Sequence, residues 1–146
     1  MSQSDTQKSF QDGLNAVQDL TIRSILANSQ ESRNRGNLYH TSTDYYKQAI
    51  RHAKNTCRDI LRTVTIDSDI AILTLIYEAN IATLENILEA PDFELKSKGL
   101  KLFYDYLERI KATEFREWKD QMIYLSIGPI SASPLWNGII LSLIHI

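Results

Sequence analysis

The chain has 146 residues, 43% of them hydrophobic, with 5 Gly, 3 Pro and a formal net charge of −2. That length holds one domain, two at most, and that much apolar material excludes intrinsic disorder and a collagen-like repeat. No run approaches the roughly 18 to 20 consecutive apolar residues of a membrane-crossing helix, so an integral membrane protein is not expected.

The single cysteine, Cys57, cannot form an internal disulfide, and the first 30 residues lack an apolar stretch behind a basic start. A reducing, cytoplasmic location is the expectation, with peripheral attachment to a membrane as an extension of it.

Residues 1–8 are polar and read as a disordered amino terminus, followed by a helical domain over 9–126. Phe10, Leu14, Val17 and Leu20 recur at helical spacing, and Ile22, Ile25 and Leu26 shift the apolar face, which predicts a bend or a broad buried face. Gly13 weakens this helix by about 1 kcal/mol relative to alanine. Residues 28–43 hold one aliphatic side chain, Leu38, and read as a linker. A second helix follows, capped by Thr43 or Asp44, with Tyr46, Ile50, Ala53, Cys57, Ile60, Leu61 and Val64 on its apolar face. The run Thr65 to Asp69 offers Ser and Asp side chains as caps for a third helix reaching about Ala90. That helix is apolar over so wide an arc that it is expected at the centre of the fold. Pro91 and Asp92 end it and open a fourth helix carrying Leu95, Leu100, Phe103, Tyr106, Leu107 and Ile110. Phe115, Trp118, Met122 and Leu125 mark a fifth. No β pattern competes before residue 126, so the expected class is all-α: about five amphipathic helices packed as antiparallel hairpins, an α-solenoid-like fragment.

All 34 charged residues lie within the first 120 positions. Residues 127–146 therefore read as an uncharged, non-native tail. Its last six, Leu141 to Ile146, resemble the translation of a sequencing-library adapter, which implies a natural protein continuing beyond this point and removes His145 from consideration as a ligand or base.

No glycine-rich phosphate loop, Gly-x-Ser-x-Gly elbow or metal-spaced Cys/His pair occurs. No catalytic, cofactor-binding or metal residue is assigned, no cofactor or small-molecule substrate is evident, and an enzyme is not expected. Cys57 reads as a small buried hydrophobe, His40 and His52 as linker and surface residues, and Asp67 and Asp69 as helix caps rather than cation ligands.

Charge placement is more informative. Residues 33–62 carry seven basic and two acidic side chains, and residues 63–126 carry seven basic and twelve acidic. On the second helix Lys47, Arg51, Lys54, Arg58 and Arg62 step by four, three, four and four, forming one stripe beside the apolar one. Three readings stay open: a face that is solvated or paired with Glu78, Glu85 and Glu89; a grip on nucleic-acid phosphates; or contact with an anionic membrane or acidic protein.

Within residues 81–112, Leu84, Ile87 and Leu88, then Pro91-Asp92, then Glu94-Leu95-Lys96, then Leu100, Phe103 and Leu107 together resemble one unit of the HEAT and armadillo class of α-helical repeats. The resemblance implies a non-catalytic interaction scaffold, the amino-terminal piece of a longer repeat protein, with a protein partner or an anionic membrane surface engaged through the second helix. The alternative is a small helical DNA-binding or packaging protein, similar to phage terminase small subunits.

Overall fold

The structure, a computed structural model, describes residues 2–33 and 39–120. Four long helices occupy them, α1 (Ser2–Arg33), α2 (Tyr39–Leu61), α3 (Asp67–Leu88) and α4 (Phe93–Lys111), followed by a short α5 at 115–120. The fold is all-α, with no strand among the described residues.

Side-chain pairings give the directions. Gln18 meets Lys111 and Asn28 meets Ser97, so α4 runs antiparallel to α1. Thr6 meets Asp69 and Ser9 meets Tyr77, so α3 runs parallel to α1. Sequence neighbours thus alternate in direction. The packing of α1 on α4 closes the four helices into a ring, with α1 and α3 also touching across it.

The core is built from the anticipated stripes. Phe10, Leu14 and Val17 of α1, Leu73, Tyr77, Ile81 and Leu84 of α3, and Leu100, Phe103 and Leu107 of α4 are enclosed almost completely. Burying a Leu, Val or Phe side chain in this way contributes about 1.5–3 kcal/mol. Phe10 also meets Phe115 in a tilted ring contact at 5.6 Å between centroids, which docks α5 against α1.

Several boundaries differ from expectation. The amino terminus is not disordered: α1 begins at Ser2, and Thr6 and Ser9 are buried because Asp69 and Thr63 partner their hydroxyls. Nor is 28–43 one linker, since α1 continues to Arg33 and α2 begins at Tyr39 rather than at a Thr43 or Asp44 cap. Extending an existing helix adds a hydrogen bond per residue without a new nucleus, and Asn28 is anchored by its Nδ2 donating to Ser97 Oγ at 2.6 Å. The expected 127–146 tail, its adapter-like end, and the Met122 and Leu125 positions lie outside the described residues.

At the start of α3 the extended cap residue is Ile66, with no side-chain cap. Asp67 and Asp69 stand in the first turn, where they favour the helix dipole, and the Asp69 side chain turns inward instead of capping. At α4 the expected cap is present: Asp92 Oδ1 accepts from the Glu94 amide at 2.8 Å. Centrality is shared, because α1 also contacts α2, α3 and α4 and makes the more extensive interfaces. Ile22 and Leu26 stay exposed while Leu20, Thr21, Ser24 and Ile25 pack inward, so α1 buries one broad face that meets α2, α3 and α4. The span Asp67–Leu88 is long and apolar enough to cross a membrane by length and composition alone, with 39% of its apolar window buried in the fold.

Candidate interaction surface

Along α2, positions 46, 53 and 57 are buried, and the basic residues fall on the flank and back of the same helix. Lys47, Arg51, Lys54, Arg58 and Arg62 are all exposed, and the spacing read from sequence does bring them onto one face. Their electrostatic surroundings divide them. Lys54 Nζ lies 3.1 Å from Glu85 of α3, and Arg62, in the turn just after α2, lies 3.4 Å from Asp59 of α2. Both pairs are largely solvent-accessible, so each is worth at most about 1 kcal/mol. Lys47, Arg51 and Arg58 form no ion pair among the described residues.

The Lys54–Glu85 pair sets the register of the antiparallel α2 and α3. Both helices rise about 1.5 Å per residue. Arg51 is therefore within one residue's rise of Glu89, and Arg62 within one residue's rise of Glu78. On α3 the outward row is Ala71, Leu75, Glu78, Ala82, Glu85 and Glu89, spaced four, three, four, three, four. All of these are exposed except the half-buried Glu85. A cationic row and an acidic, partly apolar row thus lie side by side on one face of the bundle.

The opposite flank of α2 faces α1 across a groove of about 280 Å³. Leu20 lines it together with Ala16, Ala49 and Ala53, whose small side chains keep the two helices from filling the space between them. At its rim Arg23 pairs with Asp19 at 3.2 Å beside Tyr45 and His52. Partial burial raises the Tyr45 phenol above its usual range, and Arg23 opposes that shift.

The remaining candidates are placed in the interior or on the surface as ordinary structure. Burial pushes the Cys57 thiol up to about 12, and its Sγ faces the Gly13 carbonyl at 3.9 Å. It stays protonated at neutral pH and is a poor nucleophile. His52 is exposed, and His40 falls where side chains are outside the described set. Among the described residues, no three His, Cys, Asp or Glu side chains converge as a metal site.

One tie between helices has no local pattern behind it. Asp69, with a side chain 4% exposed, accepts from Lys119 Nζ at 2.9 Å and from Thr6 Oγ1 at 3.4 Å, tying α1, α3 and α5 together. Its signal in the sequence was only an acidic residue in a helix-start run, where a cap is the ordinary explanation. Comparison with protein-family models, curated proteins and solved structures finds no match to this chain.

Proposed function

We propose that this chain is a non-catalytic interaction module that engages an acidic protein surface through the exposed cationic row of α2. The observation that carries the reading is the set Lys47, Arg51 and Arg58: three exposed cations on one rigid helix face with no carboxylate partner among the described residues. Unpaired like charges on one face repel each other and gain when an anionic surface covers them. Lys54 and Arg62, already paired, extend the row at lower gain.

The HEAT/armadillo resemblance of residues 81–112 would make the module one segment of a longer helical array. Leu95 and Leu102, 36% and 39% exposed on α4, supply an apolar edge on which a following hairpin can pack. This reading expects further helical hairpins in the complete gene.

Retention on immobilised polyglutamate tests the reading. The triple variant Lys47→Glu, Arg51→Glu, Arg58→Glu should elute at markedly lower salt than the parent, and unchanged elution overturns the proposal. Stronger binding to duplex DNA than to polyglutamate, with affinity falling steeply with salt, would replace the protein partner by the nucleic-acid alternative.

A further inference from the structure

We propose that the acidic partner of the α2 row is a second copy of this chain, docked through the α2–α3 face. This rests on reading α2 as an interaction surface and names what covers it. The face is self-complementary. A two-fold axis running along the bundle between α2 and α3 sets α2 of each copy over α3 of the other, reversing the lateral order and preserving the level along the helix. Cationic row then meets acidic row twice, as an isologous interface requires.

The register given by Lys54–Glu85 carries across that axis. Arg51 of one copy stands within one residue's rise of Glu89 of the other, and Arg62 within one residue's rise of Glu78, in both halves of the interface. The row Ala71, Leu75, Glu78, Ala82, Glu85, Glu89 has the alternating four and three spacing with which one helix receives another. Leu75, second in this row between Ala71 and Glu78, is 52% exposed, and the small Ala71 and Ala82 permit close approach. A second copy places opposite charge over each charged row. The alternative in-plane axis, perpendicular to the helices, would set α2 on α2 and juxtapose like charges, so the charges select one arrangement.

Light scattering and sedimentation of the full chain at low salt test this. The parent should show twice the 16.8 kDa chain mass, with the dimer weakening as salt rises through the range in which the Debye length falls to about 10 Å. Arg51→Glu and Glu89→Arg each place like charges in both halves of the interface and should weaken the dimer about tenfold or more. Mixed together they should restore it, since the heterodimer pairs the swapped charges in one half and the native charges in the other. Both positions are exposed, and circular dichroism checks that each variant is folded. A parent that is monomeric at all concentrations, or two variants that dimerise normally alone or fail to complement, overturns the second-copy inference. The outcome separates from that of the module itself: a monomer whose triple variant still loses polyglutamate retention leaves the interaction surface standing, whereas unchanged retention removes both.

Discussion

Gly13 shows how a single residue reverses a propensity argument. Alanine is favoured over glycine by about 1 kcal/mol in a helix interior, yet a Cβ here would overlap Cζ, Cε1 and Oη of Tyr77. Tyr77 cannot retreat, because its ring is fully enclosed and its hydroxyl donates to the Ser9 carbonyl. Gly13→Ala should therefore destabilise the fold by about 1–3 kcal/mol, the cost of overpacking a filled core. Urea denaturation reads this directly, and a stabilised variant would show that the Tyr77 ring has room to move. The helical spacing of Phe10, Leu14 and Val17 was legible in the sequence because periodicity is a local property. The Tyr77 contact was not, since it joins positions 64 residues apart through a pairing of α1 with α3 that no local pattern encodes.

At the scale of elements, the Asp69–Lys119 pair decides where α5 sits. The Asp69 side chain is 4% exposed and that of Lys119 35% exposed, so the two partners are not equivalent. Removing the lysine leaves a buried carboxylate with, among the described residues, the Thr6 hydroxyl as its one remaining side-chain partner, whereas removing the negative charge leaves an ammonium that can reach water. Lys119→Met should cost about 3–5 kcal/mol and Asp69→Asn distinctly less. Equal losses in chemical denaturation would mean that Asp69 is effectively solvated. The same packing explains the polar start of α1. Gln7 Oε1 accepts from the Phe115 amide at the first turn of α5, and Thr6 and Ser9 have partners on α3 and in the α2–α3 turn. A stretch without aliphatic residues reads as frayed in isolation, and it is helical here because partners distant in sequence satisfy its side chains.

For the molecule as a whole, pH stability follows from titratable groups enclosed on three different helices. Burial pushes the Cys57 thiol from 9.0 up to about 12, and raises the Tyr77 and Tyr106 phenols above their usual range. In the unfolded chain the thiol releases its proton near pH 9 and the phenols near pH 10, while the folded chain still holds them. Their contribution is therefore complete below about pH 9 and is lost as pH rises toward the folded values, at up to about 1.4 kcal/mol per pH unit for each group. Tm should fall progressively from about pH 9 to pH 11, with a shallower initial slope in Cys57→Ala. A flat profile over that range would place these groups in contact with solvent.

The sequence by itself determined the class of structure and the location of the charge. Apolar spacing along α2, α3 and α4 and the steps of four and three from Lys47 to Arg58 are intrahelical properties, fixed by 3.6 residues per turn, and the Pro91-Asp92 break is set by the backbone chemistry of proline and its capping neighbour, whatever the helices pack against. Only the tertiary structure decided which of those charges remain available, because the Lys54–Glu85 contact depends on how α2 lies against α3. It likewise decided that α1 closes onto α4, that Asp69 turns inward, and that the α3 row carrying Leu75 faces outward beside the cationic row. Each of these depends on the placement of one helix against another, and helix placement is settled by the packing of whole faces and not by the pattern along any one of them.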